Sequence, residues 1–181
     1  MDNGASSYRR FLAGDESAFE SMMKELFHGL VFFIDRIVDD PYAAEDIAID
    51  VFSELIVHKH RYNFKVTLKT YLYMLGRSRA IDHLRRQKHH LDLSEAQHIA
   101  DERVDLEEMV LVNDRKRLVN AAISQLPADM QTVLHLIYFE EMTYEEAARV
   151  MKKNRKQIDN LLYRAKKELR IALGEDGAQI L

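Results

Sequence analysis

From Phe19 to Val38, apolar side chains return every three or four residues: Phe19, Met22, Met23, Leu26, Phe27, Leu30, Val31, Phe33, Ile34, Ile37 and Val38. That period places them on one side of an α-helix, and the side must be covered by other helices. Asp39-Asp40-Pro41 ends the segment, because proline disfavours helical backbone in the residue before it. No strand pattern, internal repeat or low-complexity tract interrupts the chain. Six glycines and two prolines in 181 residues supply too little turn chemistry for a many-stranded protein. The expected fold is all-α.

A second helix is expected over 42–58. Ala44, Ile47, Ala48, Val51, Phe52 and Leu55 form its stripe, with Glu45, Asp46, Asp50 and Glu54 on other faces. Ile49 points away from the stripe, an apolar contact among acids that suits protein docking. The period is lost over 59–66, which reads as a loop. Thr67 can cap a third helix that runs to about Lys88 on Leu68, Leu72, Leu75, Ile81 and Leu84. A polar, acidic stretch follows, and the period resumes with Leu106, Met109, Val110, Val112, Leu118, Val119 and Ile123. Leu126-Pro127 breaks it. Thr143 and Glu146 have capping-box spacing, and Asn154 with Gln157 repeats that spacing at the start of a last helix over 155–173. The implied organisation is two small helical domains, 1–90 and 119–174, with an acidic linker and the start of the next helix over 91–118 and a tail over 175–181. Halves this small bury roughly 60% of their unfolded surface, so mobility between them is expected.

Charge is segregated along the chain. The formal net charge is −4, which on its own argues against a nucleic-acid partner. Yet 59–90 holds nine Lys or Arg and one acid, Asp82, and 152–170 holds eight bases and two acids. The acids collect elsewhere, eight over 91–114 against one base and six over 39–54 against none. Two basic modules therefore alternate with two acidic segments. Cysteine is absent, which excludes disulfides and thiolate metal sites. No apolar run approaches the roughly 18 residues of a membrane span. The start lacks a basic-then-apolar signal layout, so a cytoplasmic location is expected.

The two basic modules differ in kind. In 59–90, Tyr62, Phe64, Tyr71 and Tyr73 interleave with cations. Cations follow phosphates and rings stack on unpaired bases, which suits a single strand. Tyr62 and Phe64 either stack on a base or anchor the loop internally, and the sequence leaves both open. Residues 143–165 pattern as two short helices around a tight turn, with Ile158, Leu161 and Leu162 inward. Arg155, Lys156, Asp159, Asn160, Tyr163 and Arg164 then face outward, where a recognition helix meets the major groove. A solvated basic face is the plainer reading of either module taken alone. None of the eight histidines has a zinc-motif spacing. No nucleophile elbow, phosphate loop or HExxH occurs, so no catalytic residue, metal or cofactor is expected.

In this order the segments resemble the bacterial RNA polymerase sigma factors of the extracytoplasmic-function group, over roughly residues 8–174. AEDIAIDVFSELI is similar to the core-polymerase-binding helix of region two. TLKTYLYMLGRSRAIDHLRR is similar to the promoter-melting and minus-ten segments. LPADMQTVLHLIYFEEMTYEEAARVMKKNRKQIDNLLYRAKKEL is similar to region four, the minus-35 reader. The chain departs from the family with Tyr71 where Trp is usual, Ser78 where Asn is usual, Ile49 on the polymerase helix and Lys152-Lys153 in the turn. Asp159 stands where a basic or neutral residue is frequent.

The resemblance implies polymerase contacts at Glu45, Asp46, Ile49, Asp50, Ser53 and Glu54. It implies minus-ten contacts at Tyr62, Asn63, Phe64, Lys65, Lys69, Tyr71, Tyr73, Arg77, Arg79, Arg85 and Arg86. Minus-35 contacts would fall on Thr143, Tyr144, Arg155, Lys156, Gln157, Asp159, Asn160, Tyr163 and Arg164. The implied partners are core RNA polymerase, promoter DNA as duplex and as melted strand, and an anti-sigma factor. Two other classes remain open at this stage. One is a helix-turn-helix regulator that acts without polymerase, and the other is a helical metal-dependent hydrolase.

Overall fold

A computed structural model describes residues 4–93 and 114–174, and every regular element among them is helical. Chain order is α1 (Ala5–Leu12), α2 (Glu16–Val38), α3 (Pro41–Val57), α4 (Leu68–Leu93), α5 (Asp114–Ser124), α6 (Ala128–Leu134), a π-helical segment His135–Phe139, α7 (Tyr144–Met151) and α8 (Arg155–Leu173). Among the described residues no helix is long and apolar enough to cross a membrane.

Local chemistry sets most of the boundaries. Asp15 accepts a hydrogen bond from the Ala18 N–H at the start of α2. Asp39 ends that helix in the left-handed conformation at φ 55°. Asp40 then caps α3, with Pro41 in the first turn, where its missing N–H costs nothing. Both expected capping boxes form, Thr143 with Glu146 and Asn154 with Gln157.

α2 is the centre of the front half and packs on α1, α3 and α4. A Cβ built on Gly76 of α4 would stand 2.9 Å from Leu30 Cδ1 and 3.2 Å from an Ile34 methyl. Glycine there lets α4 lie close against α2. In the rear half α8 packs on α5, α6 and α7, burying Ile158, Leu162, Ala165 and Leu169. Burial of each large aliphatic stabilises by about 1.5–3 kcal/mol, which far exceeds helix propensity.

Three findings depart from the sequence reading. α1 was not anticipated. Its large apolar residues are Tyr8 and Phe11, both buried, and half-buried Leu12, too few to display a period. α4 runs to Leu93, past the expected end near Lys88, while the start of α5 at 114–118 accords with the helix start expected within 91–118. The stretch 94–113, with its acids and its apolar positions 106–112, and the tail 175–181 lie outside the described residues. Lastly, the two halves are closed on each other. Their buried side chains join one cluster, α2 meeting α6 and α4 meeting α7.

Candidate polymerase and nucleic-acid interfaces

α3 presents its acids outward because its apolar stripe is consumed by α2 and α4. Glu45, Asp46, Asp50 and Ser53 are exposed, and Ile49 is 44% exposed among them. Tyr42, at 78%, extends this face at the start of the helix. Glu54 does not belong to it. Its side chain is 8% exposed and ion-paired with Arg61 and with Arg79, the latter at 2.6 Å. Burial opposes its ionisation, but hydrogen bonds and charge from Arg79 and Arg61 outweigh burial and lower its pKa. Spacing alone cannot tell an exposed helical acid from one turned inward toward a loop.

The loop over 59–67 is built around aromatic rings. Tyr62 is 3% exposed and donates its hydroxyl hydrogen to the Val66 carbonyl at 2.6 Å. Its ring lies 4.6 Å from Phe64, 5.2 Å from Tyr71 and 5.5 Å from Tyr8. Tyr8 in turn donates to the Lys59 carbonyl at 2.8 Å, at the exit of α3. Burial, then the neighbouring Tyr71 and Tyr62, push the Tyr8 hydroxyl up to about 12. Of the two readings left open, internal anchoring is the one seen for Tyr62. Phe64 is half-buried at φ 61° with the Arg9 guanidinium 4.9 Å over its ring. Lys59, His60, Arg61, Asn63 and Lys65 are the residues this loop exposes.

Along α4, Arg79, Arg85 and Arg86 are exposed, while Tyr71 and Arg77 are half-buried. Tyr73 is fully buried and so cannot meet a base in this arrangement. Lys69 is also withdrawn, because Glu140 of the rear half takes it at 2.6 Å through its carboxylate and at 2.8 Å through its carbonyl. Glu140 follows the π-helical segment, whose widened turn is closed by the Glu140 N–H on the His135 carbonyl at 3.0 Å. Its carboxylate sits against the Tyr73 hydroxyl. It also lies 3.3 Å from His135 Nε2, close but without hydrogen-bond alignment. Burial disfavours the Glu140 charge, yet His135, Lys69 and Tyr73 outweigh it and hold the group at about 2.

A second junction lies beside the first. Glu146 accepts from the Thr143 N–H at 2.9 Å, completing its own cap. Its other oxygen accepts from the Thr67 hydroxyl at 3.0 Å and from the Thr70 hydroxyl at 3.1 Å. Thr67 at the same time caps α4 by accepting from the Thr70 N–H at 3.2 Å. The start of the basic helix and the start of α7, each capped by its own threonine, are thus tied together through Glu146. Sequence reasoning found Thr67 and Glu146 as local caps. It had no signal for their meeting, nor for Glu140.

The rear module shows an open face. Arg155, Lys156, Gln157, Asp159, Asn160, Tyr163 and Arg164 on α8 are exposed, as is Thr143, and Tyr144 is half-buried. Tyr163 is 69% exposed, far more than packing would leave a tyrosine with a structural role. Lys152 takes the left-handed conformation at φ 53° and turns the chain between α7 and α8. Arg155 pairs with Glu145 at 2.8 Å. Among the described residues no group of three or more His, Asp or Glu could hold a metal ion.

A helical front module with a basic long helix, joined to a rear helix-turn-helix with an open basic face, defines a bipartite DNA-binding protein of transcription. The comparisons make the class specific. Residues 22–90 match Sigma-70 region 2, and residues 116–169 match Sigma-70, region 4. The chain is 26% identical over 174 residues to the RNA polymerase sigma-H factor of Pseudomonas aeruginosa, covering 91% of this chain and 90% of that one. It is 24% identical over 147 residues to the ECF RNA polymerase sigma factor SigM of Bacillus subtilis, covering 76% and 84%.

Two solved structures share the fold. The sigma factor RpoE of Bartonella quintana, crystallised with the anti-sigma factor NepR, superposes with TM-score 0.64 at 19% identity, covering 87% of this chain and 98% of that one. CnrH, solved with the cytosolic domain of CnrY, gives 0.60 at 17% identity, covering 94% of each. The chain belongs to the sigma-70 family, in its extracytoplasmic-function group, and is a factor of promoter-directed transcription initiation.

Proposed function

We propose that the chain docks on core RNA polymerase through the outward face of α3, using Glu45, Asp46, Ile49, Asp50 and Ser53. Residues 1–90 act as the polymerase-binding and promoter-melting domain, and 119–174 act as the minus-35 reader. α8 enters the major groove, with Asp159, Asn160, Tyr163 and Arg164 at base edges and Arg155 and Lys156 on phosphate. Asn63, Lys65, Arg77, Arg79, Arg85 and Arg86 follow the melted minus-ten strand, and Tyr71 offers it a ring. Thr143, Tyr144 and Gln157 flank the duplex site. The observation that carries this reading is that the acidic α3 face and the basic α8 face are both open while the halves are closed.

Lys69 and Tyr73 reach the strand only once Glu140 has withdrawn, so separation of the halves belongs to the mechanism. The chemistry is recruitment and strand capture, with no covalent step. It takes place where the polymerase works, in the cytoplasm. An anti-sigma protein is the partner that would hold the chain out of this cycle, by analogy with the complex of RpoE and NepR above. The test is transcription by core polymerase on a promoter library with and without the chain. Discrete start sites that appear only with the chain are expected. A chain that neither binds the polymerase nor changes any start site would overturn the reading.

A further inference from the structure

Glu54 is the one α3 acid turned fully inward, and what it holds is unusual. One carboxylate oxygen takes Arg61 of the loop, and the other takes Arg79 of α4. Two guanidinium groups from separate segments therefore flank one buried carboxylate. Both remain largely in solvent, with side-chain exposures of 63% and 46%. Among the described residues neither side chain makes another hydrogen bond or ion pair. A guanidinium has five N–H donors in a fixed fork, and one carboxylate oxygen leaves most of them unused. The trio carries two positive charges and one negative, so it keeps a net positive charge. On α4, Arg79 is two turns beyond Tyr71 and on the same stripe, since residues four apart share a face. Tyr71 is half-buried and lies within the electrostatic reach of both Glu54 and Arg61.

We propose that Arg61 and Arg79, held side by side by Glu54, form a binding site for one backbone phosphate of the opened promoter strand, with Tyr71 beside it for the adjoining base. Glu54 is a positioning residue and touches no DNA. It fixes the two forks so that their unused donors converge. It also ties that site to α3, so the helix that docks on the polymerase carries the strand clamp with it. The inference rests on the proposed function above and adds to it a residue, Arg61, that the family motifs did not single out.

The charge arithmetic makes the test sharp. Glu54→Gln makes the chain more positive by one unit. If only overall charge mattered, strand affinity would rise. If Glu54 positions the arginines, affinity falls although charge has increased. The experiment uses the full chain on core polymerase and a promoter fragment with a pre-opened bubble, taken from the library selection, at several salt concentrations. Glu54→Gln and Arg61→Lys are each expected to weaken bubble binding about fivefold or more and to lower the salt slope by about one unit, as for loss of one phosphate contact. Arg61→Lys keeps the charge and removes the fork, and its exposed position spares the fold. Glu54→Asp restores part of the loss.

Polymerase affinity and melting temperature are measured on the same variants. Bubble binding by Glu54→Gln and Arg61→Lys at or above the wild-type level, with an unchanged salt slope, overturns the proposal. So does a loss of polymerase affinity as large as the loss of bubble binding. If the wild-type chain opens no promoter, the proposed function itself fails and this inference falls with it. A wild type that works beside unaffected variants sinks this inference alone.

Discussion

The closed arrangement depends on the Lys69–Glu140 pair, and its replacement by neutral residues should open the molecule. The two side chains are 17% and 11% exposed, so solvent screens them little. The Glu140 carboxylate is lowered from its ordinary 4.5 to about 2, about 3 kcal/mol in all at about 1.4 kcal/mol per unit, of which the share from His135 lies within the rear half and that from Lys69 and Tyr73 acts across the junction. Glu140→Gln keeps the shape and the backbone contact to Lys69, so we expect a cost nearer 2 kcal/mol, roughly thirtyfold in the closed-to-open ratio. The pH sign follows from the direction of the shift. A carboxylate whose folded value is depressed contributes fully above about 4.5, and that contribution disappears as pH falls toward about 2. Wild type should therefore loosen over that window, and Glu140→Gln should lose this part of the dependence.

The chain has no cysteine, so two introduced ones, at exposed Val57 on α3 and Ile171 on α8, take distance labels cleanly. The variant should shift the label distribution to longer separations. A double-mutant cycle with Lys69→Met isolates the pair. Effects that add to within about 0.3 kcal/mol, with an unchanged distance distribution, would refute the claim that this pair holds the halves together.

Three further outcomes are expected. Tyr8→Phe removes the hydroxyl that ties α1 to the exit of α3, and urea melting should show a loss of about 1–2 kcal/mol. The Tyr8 hydroxyl is raised to about 12, so its contribution is complete below about pH 10 and fades as pH climbs through about 12. An alkaline melting profile identical in wild type and Tyr8→Phe would contradict that. Asn154→Ala breaks the cap of α8 and should cost about 1 kcal/mol by denaturant melting, and no change would mean the cap is dispensable. Arg164→Ala should weaken minus-35 duplex binding of the polymerase complex by about 1–3 kcal/mol if it reads a base. An unchanged affinity on duplex fragments removes it from the reader.

Features that repeat within one helix were legible. The α2 stripe, the Asp39–Pro41 stop, both capping boxes and the outward face of α8 all follow from spacing within a few residues, and each is present. What was not legible lies between segments. Glu54 has the same helical phase as an exposed acid, and only the return of the loop and α4 to its side makes it buried. Tyr62 and Tyr73 satisfy a stacking pattern by composition, yet burial decides their role, and burial is a tertiary quantity. Glu140 stands after a π-helical turn that no short-range rule anticipates. A Cβ on the neighbouring Gly29 would stand 2.6 Å from the Tyr73 hydroxyl. Gly29 thus keeps space for another helix's tyrosine and another half's carboxylate.

The closing contacts also bear on the order of events. Glu140 and Glu146 present carboxylate oxygens to the Lys69 amine and to the Thr67 and Thr70 hydroxyls. On the proposed reading Lys69 serves the melted strand, so closure and strand capture exclude each other there. Docking through α3 faces no such exclusion, because that face is exposed while the halves are closed. A polymerase complex of micromolar to nanomolar affinity releases about 8–12 kcal/mol. The junction's polar contacts are each worth about 1–3 kcal/mol net, beside the apolar packing of α2 on α6 and α4 on α7. Polymerase binding separates the halves only to the extent that it makes contacts open to the separated form alone, and one or two phosphate contacts from free DNA are too weak to do so. The free chain should bind single strands weakly and gain strand affinity on the polymerase. Glu140→Gln should narrow that difference from the free side, by strengthening capture before any polymerase is added.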